Sequence, residues 1–176
     1  MKKAILLTLC LCLILCGCGA APEETTTPET TTNFDIDAYK QSISSCMELI
    51  NESAILLHNA VSMECKYLDL LGREDAEGAF DTAMKFLEEK SGYNEESLRT
   101  QYEEISRMYE EIAIENIVGA EAQEIKESYE SLFDAYVGLY DLAMSPTGTP
   151  STISSSHDEY ISVIQAETSK LEILLQ

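Results

Sequence analysis

From Phe34 to the end of the chain, apolar residues recur at intervals of three and four positions, the spacing of one face of an α-helix. No alternating apolar and polar run of strand length interrupts this pattern, and prolines occur there only at Pro146 and Pro150. Successive residues of a strand point to opposite faces, so apolar residues at this spacing do not fit a half-buried sheet. The sequence therefore predicts an all-α domain over residues 34–176.

The first segment of this domain carries a seven-residue apolar repeat that extends to Leu71. The repeat predicts a long amphipathic first helix of about 35 residues with a broad buried face. Gly72 is its expected stop. The apolar positions of the repeat are Ile36, Tyr39, Ile43, Cys46, Ile50, Leu57, Ala60, Tyr67 and Leu71.

A second, broken helix is expected after Gly72. Its first part surrounds Phe80 and Leu87, and the residues SGYN at 91–94 interrupt it, with Asn94 placed to cap the helix that follows. From there the apolar seam changes phase near Gly119. We expect a turn at this glycine, although a single kinked helix over residues 94–144 stays open as an alternative.

The clearest break in the domain is SPTGTPST at 145–152, after which Ser154 to Ser156 can cap a last helix. The order is then a long helix, a broken helix, a third helix and a fourth. Short connections between such helices favour an antiparallel four-helix bundle. The segment YVGLYDLAMSPTGT at 136–149 is similar to a helix end and loop of small uncharacterised helical exported proteins of Gram-positive bacteria, a resemblance that implies no activity.

The N-terminus has the layout of an export signal. Lys2 and Lys3 precede an apolar run from Ala4 to Leu15, which is shorter than the roughly 20 residues of a spanning helix. The next residues, Leu15-Cys16-Gly17-Cys18, resemble the lipobox of bacterial lipoproteins. The resemblance implies that a signal peptide of residues 1–17 is removed and that Cys18 is lipidated. Modification of Cys16 is the rival, but it would place bulky Leu15 at the cleavage position.

Residues 18–33 are expected to form a disordered N-terminal tether. Beyond Cys18 this segment is rich in Thr, Pro and Glu and has no large apolar residue, so it cannot bury enough surface to offset the entropy of ordering. The two acyl chains of the lipid on Cys18 would hold the protein stably at the outer face of a bacterial cell membrane. The membrane is thus the first expected partner.

The charge of the mature chain excludes one class of partner. The leader contains two of the eleven Lys and Arg residues, which leaves nine against 32 Asp and Glu, a net charge of −23. A surface of this sign repels nucleic acid. Acidic pairs such as Glu103 and Glu104 recur along the helices and are interpreted as a solvated face.

Cys46 and Cys65 fall within the same predicted helix. A separation of 19 residues at about 1.5 Å per residue places them about 28 Å apart, far beyond the reach of a disulfide. We therefore expect two free thiols in the domain.

No catalytic or metal site is indicated. The only two histidines are His58 and His157, and neither follows a glutamate by three positions, as a di-iron bundle would require. Both are predicted to face solvent. No zinc spacing, nucleophile motif or phosphate-binding glycine loop is found, so neither a cofactor nor an enzymatic activity is expected.

Tyrosines form the most distinctive feature of the second and third helices. They lie on the inner seams, where a bundle usually buries the ring and lets the hydroxyl reach the rim. A ligand groove lined by them is the alternative. The five residues are Tyr102, Tyr109, Tyr129, Tyr136 and Tyr140. We therefore expect a membrane-anchored, non-enzymatic interaction module for an unidentified protein of the cell envelope, with a small-ligand or cation-binding lipoprotein as the alternative.

Overall fold

Helices make up nearly all of the part of the chain that the structure, a computed structural model, describes, namely residues 34–71, 76–112 and 119–176. No strand occurs within these ranges, so the all-α prediction is confirmed for them. The helices are α1 (Ile36–Leu71), α2 (Ala76–Ser91), α3 (Glu95–Ile112), α4 (Ala120–Met144) and α5 (Pro150–Leu174). None of the described helices is long and apolar enough to cross a bilayer.

Several sequence predictions concern residues outside the described ranges. These are the signal peptide at 1–17, the lipidation of Cys18, the tether at 18–33 and the helix stop at Gly72.

Side-chain caps fix the starts of α1 and α3. Asp35 Oδ1 accepts hydrogen bonds from the backbone N–H groups of Asp37 and Ala38, each at 3.1 Å, at the start of α1. Asn94 Oδ1 accepts from the backbone N–H of Ser97 at 3.0 Å, and Ser97 Oγ accepts from the backbone N–H of Asn94 at 2.7 Å. The predicted capping role of Asn94 is therefore confirmed.

The last helix begins earlier than the sequence suggested. α5 starts at Pro150, with Thr149 as its N-cap, so the prediction that Ser154 to Ser156 cap this helix was wrong. Thr149 Oγ1 accepts from the backbone N–H of Thr152 at 3.3 Å, and Thr152 Oγ1 accepts from the backbone N–H of Thr149 at 2.8 Å. Proline suits the first helical position because it has no N–H to leave unpaired there and its φ is already helical.

The question of one helix or two over residues 94–144 is resolved by ring contacts. The Tyr109 ring stacks on Phe133 at 3.8 Å between centroids, and the Tyr102 ring stacks on Tyr140 at 4.0 Å. The later residue of α3, Tyr109, contacts the earlier residue of α4, Phe133, and the reverse holds for Tyr102 and Tyr140. The two helices therefore run in opposite directions and cannot be one kinked helix. α4 begins after Gly119, whose φ of 113° suits a residue without a side chain.

Helix α1 contacts every other helix of the described part. Against α5, Asn51 accepts a hydrogen bond from Thr168 at 3.0 Å. Lys40 forms an ion pair with Glu121 of α4 at 2.6 Å. The described helices share one core, whose largest fully buried side chains are Tyr136, Ile43, Ile50, Leu57, Leu98, Ile105, Ile125, Leu132, Leu139, Ile153, Leu171 and Glu64.

Helices α4 and α5 approach closely at one glycine. A Cβ atom added to Gly138 would overlap the Tyr160 ring. Any larger residue at this position would force the Tyr160 ring, or α5 with it, to shift.

Candidate functional site

The tyrosines predicted from the inner seams do come together, at the contact between α3 and α4. Tyr129 and Tyr136 of α4 are buried, whereas Tyr102 and Tyr109 of α3 and Tyr140 of α4 are partly buried. Their rings stack on each other and on Phe133, a residue that the sequence reasoning did not single out.

The hydroxyl groups of the two buried tyrosines point toward α1. The Tyr136 hydroxyl oxygen lies 3.1 Å from Ser53 Oγ. Burial raises the pKa of Tyr136 and the pKa of Tyr129, and the neighbouring Cys46 thiol also acts on Tyr129. Both phenols therefore keep their protons at physiological pH. The five tyrosines join three helices, and none of them lines any of the three surface cavities described for this domain.

The largest of these cavities lies between the start of α1 and the end of α3, and we call it the α1–α3 groove. Its volume is about 670 Å³ and it opens to solvent. Its lining residues are Phe34, Asp35, Ala38, Tyr39, Gln41, Ser42, Ser45, Met108, Glu111 and Ile112.

The α1–α3 groove combines an apolar floor with an acidic rim. Phe34 and Tyr39 form an aromatic pair, with ring centroids 5.3 Å apart, and Met108 also packs against the core. Asp35 and Glu111 are exposed at its edge, where Glu111 also forms an ion pair with Arg107, four residues before it on α3. Burial raises the pKa of Tyr39 to about 12, with contributions from Glu130 and Tyr109, so the phenol is neutral.

Sequence reasoning missed the α1–α3 groove because it looked only for apolar seams between adjacent helices. Met108 and Ile112 are four residues apart on α3, and Phe34 is the first large apolar residue after the predicted tether. These signals indicate apolar surface at one end of the domain, but they do not show that the other described helices leave this surface uncovered.

The prediction that both histidines face solvent was wrong for His157. His157, predicted to face solvent, is only 6% exposed, and its Nε2 lies 2.9 Å from Nδ1 of His58. His58 is exposed, as expected. His157 was misplaced because α5 was expected to begin at 154–156; with the start at Pro150 it lies seven residues before buried Ile164, on the inner face of the helix.

A second, smaller cavity lies beside the histidine pair, between α1 and α5, and we call it the α1–α5 groove. It has a volume of about 320 Å³ and is lined by Asn51, Ala54, Ile55, His58, Ile161, Ile164 and Gln165. Ile55 is 62% exposed, which makes it one of three large apolar side chains that are strongly exposed among the described residues.

Glu64 of α1 is a buried carboxyl group with one oxygen that lacks a hydrogen-bond partner. It is 1% exposed, its Oε1 has no hydrogen-bond partner, and burial raises its pKa to about 8. The sequence reasoning did not identify this residue, although it lies seven positions after Leu57 on the heptad repeat. A lone buried carboxyl of this kind remains protonated and neutral near pH 7.

The described residues contain no group of three or more His, Cys, Asp or Glu side chains that could hold a metal ion. The acidic pairs predicted to be solvated, such as Glu103 with Glu104 and Glu110 with Glu111, are exposed. Cys46 and Cys65 are free thiols, as predicted.

No protein-family model matches the chain, and no curated protein or solved structure matches it significantly. Any functional proposal must therefore come from the chemistry and geometry of the chain itself.

Proposed function

We propose that the chain is a lipid-anchored extracytoplasmic interaction module, a non-enzymatic protein that docks a protein of the cell envelope through the α1–α3 groove. The observation that carries this proposal is the groove itself, the largest of the three described surface cavities, whose apolar floor opens to solvent. A contiguous apolar surface rimmed by polar groups is typical of protein interaction sites.

The charge of the chain indicates the kind of partner. Asp35 and Glu111 stand at the edge of the apolar floor, and the mature chain has nine basic against 32 acidic residues. Electrostatic complementarity speeds association and rejects partners of like charge. We therefore propose a partner segment that inserts an apolar side chain into the groove and presents Lys or Arg to the rim.

The proposed address rests on Leu15-Cys16-Gly17-Cys18, which resembles a lipobox. Lipidation of Cys18 would place the domain at the outer face of a bacterial membrane. An extended tether from Gly19 to Asn33, at about 3.1 Å per residue, would allow it to reach roughly 45 Å from the bilayer.

We also propose that the domain is an antiparallel four-helix bundle in which α2 and α3 together form the second member. The opposed directions of α3 and α4 support this arrangement, as does the pairing of early α1 residues with late α5 residues. In such a bundle α1 and α4 run in parallel across the core, which agrees with the contacts of Lys40 with Glu121 and of Ser53 with Tyr136.

The docking proposal is tested by photocrosslinking in intact cells. A photoreactive residue replaces Ser42, which lines the groove, or Ser162, which is exposed on α5 as a control. We expect a discrete protein adduct from position 42 alone. Ala38→Trp, which fills the groove, should remove the adduct, whereas Ala166→Trp on exposed α5 surface should not. Equal adducts from both positions, or an adduct that survives Ala38→Trp, would rule out the groove as the docking site.

The proposed anchor is tested separately by intact-mass analysis of the membrane fraction. Cys18→Ala should accumulate as an uncleaved precursor without lipid, whereas Cys16→Ala should be processed normally. Normal lipidated protein from the Cys18 variant would disprove the assignment.

The alternative function is that of a small-ligand or cation-binding lipoprotein. It is favoured by the volume of the α1–α3 groove, about 670 Å³, which lies within the usual range for small-molecule sites. The aromatic pair beside Asp35 would suit an organic cation, because aromatic faces and carboxylates both attract positive charge. Under this alternative, Ala38→Trp would abolish ligand binding without changing any protein adduct.

A further inference from the structure

The contact between His58 and His157 joins α1 to α5 through the only two histidines of the chain. Their ring centroids are 4.8 Å apart, with an angle of 26° between the planes. The second nitrogen of His157, Nδ1, lies 3.2 Å from Asp158 Oδ1. One ring is buried and the other is exposed, so protons from solvent reach the pair through His58.

The hydrogen-bond pattern assigns the tautomers of the neutral pair. A carboxylate can only accept, so His157 donates from Nδ1 to Asp158 and its Nε2 is left as an acceptor. His58 must then donate from Nδ1 to His157 Nε2, and His58 Nε2 remains free to accept a proton. The first proton taken up by His58 therefore leaves the hydrogen bond between the rings intact and makes it charge-assisted.

A second proton cannot be accommodated in the same way. With both rings charged, His58 Nδ1 and His157 Nε2 would each carry a hydrogen, and the two nitrogens would face each other at 2.9 Å without an acceptor. Two like charges at this distance also repel strongly when one is buried. The doubly protonated pair must therefore separate.

The charges around the pair act on His58 in both directions. The pKa of His58 is lowered, first by burial and then by His157, with Asp158 acting in the opposite direction. Asp158 also acts on Cys65, together with Glu64 and Asp69 of α1. The two charged groups that act on His58, His157 and Asp158, both belong to α5.

We propose that His58 and His157 form a proton-operated clasp that holds the N-terminal part of α5 on α1 at neutral pH and releases it in acid. His58 also lines the α1–α5 groove, so release would open that groove beside exposed Ile55 and half-buried Ile161. An extracytoplasmic domain would in this way respond to the pH outside the cell. The inference does not depend on the docking role of the α1–α3 groove.

Hydrogen exchange of the mature chain in detergent tests the clasp. Protection factors for the first turns of α5, corrected for the intrinsic pH dependence of exchange, are compared at about pH 7.5 and about pH 5. We expect a selective loss of protection in acid. The protection factor should fall about tenfold for each pH unit by which the protonation midpoint of the clasped state lies below that of the released state.

Two variants separate titration from packing. His58→Gln keeps an N–H donor for His157 Nε2 but cannot become charged, so it should remove the acid-dependent loss of protection. His58→Ala removes the donor and should lower protection at both pH values. An equal acid-dependent loss in His58→Gln and in the unmodified chain would overturn the proposal.

A second measurement is independent of exchange. The imidazole signal of His58 is followed by NMR as pH is lowered, and its absence from His58→Gln assigns it. The midpoint of the His58 signal should lie below the ordinary histidine value of about 6.5, because burial and His157 lower its pKa, whereas a midpoint at or above that value would also overturn the clasp.

Discussion

The hydroxyl oxygens of Ser53 and Tyr136 lie 3.1 Å apart in the core, on side chains that are 1% and 0% exposed. The contact connects α1 to α4 across 83 residues of sequence. It gives each buried hydroxyl a partner and links the tyrosine cluster to the first helix.

The first prediction follows from this pair. Ser53→Ala would leave the Tyr136 hydroxyl buried without a partner and should cost about 1–3 kcal/mol in the free energy of unfolding. Tyr136→Phe should cost less, because the Ser53 hydroxyl can turn back to a carbonyl of its own helix. Denaturant unfolding of both variants and of the double variant gives the coupling energy.

The control for the first prediction is Ser42→Ala, since Ser42 is exposed and bonds only to the carbonyl of Ala38 on its own helix. It should change the free energy of unfolding by no more than about 0.5 kcal/mol. If the Ser53 and Tyr136 effects simply add in the double variant, the contact contributes nothing specific.

The second prediction concerns Gly138, where a Cβ atom would overlap the Tyr160 ring. Glycine inside a helix ordinarily costs about 0.5–1 kcal/mol relative to alanine, so Gly138→Ala would stabilise an isolated helix. In this fold we expect a net loss of about 1–3 kcal/mol from overpacking. Thermal unfolding measures it, and Tyr160→Ala in the same chain should convert the loss into a gain.

The third prediction is a dependence of stability on pH caused by Glu64. Its pKa is raised by burial from 4.5 to about 8, so the folded state retains a proton that the unfolded chain releases. Its contribution to stability is therefore present below pH 4.5 and is lost as pH rises to about 8. The shift corresponds to at most about 5 kcal/mol.

Glu64→Gln should remove this dependence, because the amide stays neutral. Unfolding in urea at several pH values between 4.5 and 8 is the measurement, and the variant should gain stability chiefly at the alkaline end. Glu104→Gln, on exposed surface, is the matched control. Parallel pH profiles for the Glu64 variant and the unmodified chain would contradict the assignment.

The fourth prediction is a thiol count. Cys46 and Cys65 are both free, so denatured mature chain that was never reduced should contain two reactive thiols in addition to modified Cys18. Burial raises the pKa of Cys46, which should make it slow to react while the chain is folded. Cys46→Ala should cost on the order of 1 kcal/mol through lost packing. A peptide map that joins Cys46 to Cys65 would contradict the continuous α1.

The sequence alone was sufficient for most local features of the fold, although not for the start of α5. Apolar spacing of three and four predicted helices throughout the described part, and Asn94 marked the start of α3. The same heptad repeat also passes through Ser53 and Glu64, both of which are buried. They were missed because a search for apolar residues skips polar ones, although the position on the repeat, not the polarity, decides which face a side chain occupies.

Only the tertiary structure decided the rest, because each remaining feature depends on residues that are distant in sequence. A phase shift near Gly119 is compatible with a kink or a turn, and the contact of Tyr109 with Phe133 distinguishes them. The pairing of His58 with His157 and the open α1–α3 groove likewise depend on how helices pack across the core. Periodicity determines which face of a helix is buried, whereas the neighbour against which it is buried, and the surface left uncovered, depend on the assembled helices.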